Sequence, residues 1–265
     1  MKKALSKKNI IVLLALALPL NVMAAAPVYN LQLTYGQEDF GSNGDDRFKK
    51  LTASVRSVLG LSRYSAFNLN ADLSTRFFDS LSSNDSTNLL LEAIYNFVPK
   101  SGFSKPTYFI GLRQERETFD EKRRNIDQTS LFLGAAIRLN DRLTLTPGVE
   151  IIKKTSDIED SDISGAFINA DIRMTDQWLF YFNYKYQSED ITSKLAMSNR
   201  LANKHHTSNE TGTITSVPTN TAFGANYSID SHQTIDVSYQ RQNYSITGSP
   251  DVTGDVISLD YFYKF

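Results

Sequence analysis

The sequence contains no cysteine, which removes disulfides, thiol nucleophiles and thiolate metal sites from consideration. It has only three histidines, His205, His206 and His232, and no motif for a cofactor or a resident metal, so none is expected. An excess of positive charge is also missing. The 28 basic residues stand against 29 acids, and this balance argues against nucleic acid as a partner. Beyond residue 24, no stretch approaches the ~18 consecutive apolar residues of a membrane-spanning helix. A chain that enters a membrane without such helices must do so as a closed barrel, because open sheet edges are not tolerated in hydrocarbon.

What is present begins at the N-terminus. Lys2, Lys3, Lys7 and Lys8 form a basic region, and Ile10 to Leu20 is an apolar core of secretory-signal length. Val22-Met23-Ala24 fits a small-residue cleavage site. Residues 1–24 are therefore expected to be a cleaved signal peptide, and 25–265 a single exported domain of about 240 residues. No cysteine follows the apolar core, which excludes a lipoprotein. Removing four lysines leaves 24 basic residues against 29 acids, a net charge near -5.

The dominant pattern has a period of two. From Arg63 to Phe78, Phe67, Leu69, Ala71, Leu73, Thr75 and Phe77 share one face, and Asn68, Asn70, Asp72, Ser74 and Arg76 share the other. Eleven further segments read the same way, with apolar rows Tyr29–Tyr35, Leu51–Leu59, Leu89–Phe97, Tyr108–Leu112, Leu131–Leu139, Leu143–Ile151, Ala166–Ile172, Trp178–Tyr186, Phe223–Ile229, Ile235–Tyr239 and Ile257–Phe265. Such rows scatter around a helix, so helical periodicity competes poorly. Short polar connections at 60–62, 140–142, 175–177 and 230–232 alternate with longer ones at 36–47, 79–86, 115–127, 153–162, 188–219 and 244–253; a moderate one runs from Pro99 to Pro106. This predicts an all-β, transmembrane, antiparallel up-and-down barrel of about twelve strands, with short periplasmic turns and longer external loops. Ten or fourteen strands are the nearest alternatives. Pro147-Gly148 interrupts the seventh strand, and a bulge is expected there.

Phe67, Trp178, Tyr261, Tyr263 and Phe265 fall near periplasmic strand ends, and Tyr35, Phe77, Tyr184 and Tyr186 near outer ends, where interfacial rings are favoured. The last nine residues, Ile257 to Phe265, resemble the closing strand of Gram-negative outer-membrane β-barrels. In that family a terminal Phe, with an aromatic two residues earlier, is the assembly signal. The resemblance implies recognition by the barrel-assembly machinery through Phe265, a location in the outer membrane, and contact with its lipid and lipopolysaccharide. Arg123 and Arg124, in an external loop dense in both signs, are candidates for that contact. A monomer is expected, since no polar stripe crosses the apolar face.

The inward rows carry the function. Their bases are Lys50, Arg56, Arg76, Arg113, Arg138, Arg173, Lys185 and Lys264, and their acids Asp72, Glu92, Glu115, Glu150, Asp171, Asp236 and Asp260. Buried charges in a narrow barrel must be paired or hydrated. Either a hydrated pore or a salt-bridged plug satisfies the list; the pore is the reading favoured, passing small hydrophilic solutes. The residues singled out are Arg76, Arg113, Arg138, Arg173, Lys185, Asp72, Glu92 and Glu150. Arg76, Arg113 and Lys185 are placed in the outer halves of their strands, as a basic patch for an anionic solute or as partners of Glu115, Asp72 and loop acids. Leu139 to Gly148, with its turn, strand and Pro-Gly, resembles the small twelve-stranded porins for acidic oligosaccharides, the oligogalacturonate and sialic-acid porin family. Met174 to Tyr186 is similar to that family's arginine-tyrosine strand, with Asn183 and Lys185 where the family has arginines. The resemblance implies anionic oligosaccharides as solutes.

Two other function classes are compatible with such a barrel. A non-conducting structural or adhesive barrel, using the 188–219 loop with Lys194, Arg200 and Lys204, is the main alternative. His206-Thr207-Ser208 has the His-x-Ser spacing of an outer-membrane phospholipase family, but it lies in a loop without apolar alternation, and no catalysis is expected.

Overall fold

The computed structural model describes residues 28–39, 45–80, 82–99, 105–119, 124–157, 159–193, 213–246 and 252–264. They form twelve antiparallel strands: β1 (Val28–Asp39), β2 (Asp45–Ser62), β3 (Ser65–Phe78), β4 (Ser86–Phe97), β5 (Thr107–Phe119), β6 (Ile126–Arg138), β7 (Leu143–Ser156), β8 (Glu159–Arg173), β9 (Trp178–Ser193), β10 (Thr213–Ser228), β11 (Gln233–Ile246) and β12 (Val252–Lys264). Each pairs with its chain neighbours, and β1 also pairs with β12, from Asn30↔Lys264 to Glu38↔Val256, so the barrel is closed. The expected class and strand count are those observed. The signal segment, the 194–212 stretch with His205, His206, Lys194, Arg200 and Lys204, Arg123 and Phe265 lie outside the described residues.

The apolar rows face out. Ile151 is 64% exposed and Ile257 63%, which no water-soluble packing would favour for residues of this size. Leu33, Leu112, Leu133, Phe182, Phe223 and Leu259 share that outer surface.

The turns at one end are held by their first side chains. Asn140 Oδ1 accepts from the backbone N–H of Arg142 and of Leu143, both at 2.8 Å. Thr175 Oγ1 accepts from Gln177 and Trp178 N–H at 3.2 and 3.0 Å. Asp230 Oδ1 accepts from His232 and Gln233 N–H at 2.7 and 2.8 Å. Asn, Asp and Thr are suited to this because their short side chains replace a backbone acceptor.

Three expectations change. Gly60-Leu61-Ser62 is not a turn: β2 continues through it with a register shift between Gly60 and Ser62, and Arg63-Tyr64 makes the turn. Pro147 causes no bulge. Gly134↔Gly148 and Ile137↔Leu145 flank it in one register, so only the local β6 bridges are missing, while Pro147↔Ile168 holds on the β8 side. A missing N–H costs ladder bonds on one side only, and no extra residue is needed to absorb it. The long connections are also shorter than predicted. β7 and β8 run to Ser156 and from Glu159, β5 runs to Phe119, and β9 runs to Ser193. Polar residues above the apolar band still pair their backbones, so loss of apolar alternation did not mark strand ends.

Candidate functional site

Inside the barrel, a cavity of about 400 Å³ is lined by Arg113, Glu150, Lys185, the amides of Asn169, Asn183 and Asn220, and the rings of Phe109, Phe132 and Phe167. The rings owe their position to register. Phe132 lies directly opposite Gly111, Phe109 opposite Gly134, and Phe167 opposite Gly148. A Cβ at any of those glycines would collide with the facing ring. The aromatic side chain occupies the space a glycine leaves, so it lies flat on the wall instead of projecting into the lumen.

Two ion pairs hold the cavity's charges. Arg113 donates from Nε and Nη2 to Glu92 Oε2 at 2.9 and 2.6 Å, straight across the β4–β5 register, and its guanidinium sits 5.4 Å from the Phe132 ring centre. Lys185 Nζ reaches Glu150 Oε1 at 2.5 Å, and Gln187 Nε2 donates to the same oxygen at 2.8 Å. These partners are on β9 and β7, with β8 between them. Gly165 of β8 stands directly between Glu150 and Gln187 in register, and a Cβ there would meet the Gln187 Cγ and the Tyr186 carbonyl. A glycine in the middle strand is what allows side chains from both neighbours to meet above it. Lys154 and Glu189 repeat the arrangement at 3.7 Å across the strand that carries Ser161.

In each pair the acid is against the wall and the base is turned to the lumen. The Arg113 side chain is 36% exposed against 12% for Glu92, and Lys185 is 30% exposed against 7% for Glu150. A carboxylate so placed is desolvated but satisfied by short charge-assisted bonds.

The opposite wall is different. Asp236 and Asp260 face each other directly across β11 and β12, both buried. Tyr181 Oη donates to Asp236 Oδ1 at 2.7 Å, its ring lying over Gly224. Among the described residues, Asp260 Oδ1 has no hydrogen-bond partner. Thr34 stands directly opposite Asp260 and is buried, as are Thr52 and Ser54 on β2 and Ser74 on β3, so side chains cover this wall of the lumen.

The predicted basic patch does not form as drawn. Arg113 is the seventh of thirteen residues in β5, and Lys185 lies halfway along β9, so both sit at mid-barrel and on one cavity. Arg76 is near the outer end of β3, 5.1 Å from the Phe48 ring centre and 5.9 Å from that of Phe78, away from that cavity. Their misplacement follows from strands that run further outward than the apolar rows. Asp72 accepts from Asn70 Nδ2 at 3.1 Å, and Glu115 accepts from Asn88 at 2.6 Å rather than pairing with a patch arginine. Arg138 and Arg173 lie at the end where the tight turns are, in a pocket of their own. Arg124 donates to Asn84 Oδ1 at 2.8 Å and covers the Phe119 ring, tying two connections together. Sequence reading missed the inward phenylalanines and Tyr181, and it placed Asp236 and Asp260 inward without bringing them face to face. The one signal for the former, glycines on inward rows, acquires meaning only once register sets a ring opposite each.

No family model matches this sequence, and no curated protein is detectably related to it. Among solved structures, an outer-membrane channel from Pseudomonas putida F1 is similar with a TM-score of 0.65 at 11% identity, covering 94% of this chain and 97% of the other. The NanC porin is similar at 0.50 and 9% identity, covering 89% and 100%. At these identities the likeness is one of fold: both are membrane barrels whose architecture this chain shares.

Proposed function

We propose that the protein is an outer-membrane channel that passes small hydrophilic solutes, with anionic saccharides as the class its lumen fits best. The observation that carries this reading is the cavity inside a closed barrel, where both ion pairs turn their bases to the lumen. Guanidinium and ammonium groups so exposed attract carboxylates, while Asn169, Asn183 and Asn220 supply donors and acceptors for hydroxyls. The flat phenylalanine rings offer apolar surface to a sugar ring. The similarity in fold to an outer-membrane channel supports the location, and the basic-apolar N-terminus of residues 1–24 supplies the export signal. Assembly through Phe265, contact with lipopolysaccharide and a monomeric state belong to the same reading. Catalysis does not. His232 sits in a turn with its Nδ1 2.9 Å from Ser231 Oγ, away from the cavity residues.

The test is current through the refolded barrel in a planar bilayer. We expect stepwise conductance, anion preference in a salt gradient, and block by oligogalacturonate but not by a neutral oligosaccharide of equal length. Arg113→Gln with Lys185→Gln should abolish the preference, and Arg76→Ala should leave it, since Arg76 is off the cavity. A barrel sealed by its filled wall would carry no current and would favour the structural, non-conducting alternative.

A further inference from the structure

The cavity's wall continues toward the end with the tight turns. On β7, Thr146 lines the cavity and Thr144, the next inward residue, lines a second pocket; on β8 the same succession runs from Asn169 to Asp171 and Arg173. This second pocket, about 320 Å³, gathers Arg138 from the end of β6, Arg142 from the β6–β7 turn and Arg173 from the end of β8. The N–H of Arg173 donates to the carbonyl of Arg142 at 2.7 Å, which locks turn and strand end together. Arg138 is engaged, donating to Asp141 Oδ1 at 3.1 Å and to the Asn140 carbonyl at 3.3 Å. Arg142 and Arg173 form no ion pair among the described residues, so three guanidinium groups face only two carboxylates, Asp141 and Asp171. Arg138 and Arg173 belong to the inward rows, which turns them to the lumen mouth and away from lipid phosphates.

We propose that this pocket is a second anion site, which takes a carboxylate-bearing solute between the mid-barrel cavity and the periplasm. The proposal rests on the channel reading above. Two uncommitted planar forks can each hold a carboxylate through paired N–H donors. Asp171 beside them works against tight retention, as a conducting path requires, since a site that binds too firmly stops flow.

Citrate titrated into the folded barrel in detergent, followed by calorimetry, tests the site without needing current. The wild type should bind at two classes of site. Arg142→Gln/Arg173→Gln should remove one class, weakening it at least about tenfold, and Arg113→Gln/Lys185→Gln should remove the other. Arg173→Lys keeps the charge but not the fork and should fall between. All these side chains are partly or well exposed, and heat-modifiable gel migration reports that each variant is folded. Identical titrations of wild type and Arg142→Gln/Arg173→Gln would overturn the proposal. Absence of current, with Arg142- and Arg173-dependent citrate binding intact, would instead overturn the channel reading and the exit role with it.

Discussion

On the wall built by β7, β8 and β9, Glu150 and Glu189 are buried with a lysine against each. On the wall built by β11 and β12, Asp236 and Asp260 are buried as deeply, and among the described residues neither makes an ion pair. The contrast comes from what stands in the middle strand. Gly165, opposite Glu150, and Ser161, opposite Lys154, leave room above β8 for long side chains to span two strand spacings, while Glu189, the far partner of Lys154, faces Ile163. Asp236 and Asp260 sit on adjacent strands with no such gap to bridge, and Lys50, which feels the Asp260 charge, is two strands away across Thr34. One wall therefore presents cations to the lumen from satisfied pairs. The other encloses negative charge behind packed hydroxyls and a tyrosine.

The comparison breaks most visibly at Lys185. Lys185→Ala strands the buried Glu150 carboxylate and should cost about 2 kcal/mol, less than a dry pair would because Gln187 still donates and the lumen is hydrated. Glu150→Gln/Lys185→Gln should recover most of that loss. Denaturant unfolding from lipid vesicles, read by the fluorescence of the sole tryptophan, Trp178, measures both. Equal destabilisation in the single and double variants would show that the bridge over Gly165 does not bind the wall together.

On the other wall the sign should reverse. Asp260→Asn removes a like charge directly opposite Asp236, and a gain of about 0.5 kcal/mol is expected in the same unfolding assay. A clear loss would mean that the distant attraction to Lys50 outweighs the facing repulsion.

The smallest effect lies outside the lumen. The N–H of His232, with that of Gln233, holds the Asp230 carboxyl below its usual value of 3.8. A carboxyl depressed in the folded state contributes its stability above the unfolded value and loses it as pH falls through the folded one. Asp230→Asn should remove a small contribution present near neutrality, so the acid limb of the unfolding profile below about pH 4 becomes slightly flatter and the two proteins converge in strong acid. The contrast with Lys185→Ala separates a turn from a wall.

Much of the architecture was legible in the residues. Alternation in Phe67 to Phe77 or Trp178 to Tyr186 is visible locally, because side chains of a strand alternate whatever the strand pairs with. The tight turns at Asn140, Thr175 and Asp230 were legible for the same local reason. Strand ends were not: Ser188 to Ser193 and Lys153 to Ser156 carry no apolar row and still pair.

The sequence by itself therefore determined the number of strands, which face of each is apolar, and which charged residues point inward. Only the tertiary structure decided that Arg113 meets Glu92, that Lys185 crosses β8 to Glu150, and that Arg142 and Arg173 share a pocket. Those facts depend on register and on the neighbours across the barrel, and a period of two is the same in every register that keeps the apolar face outside.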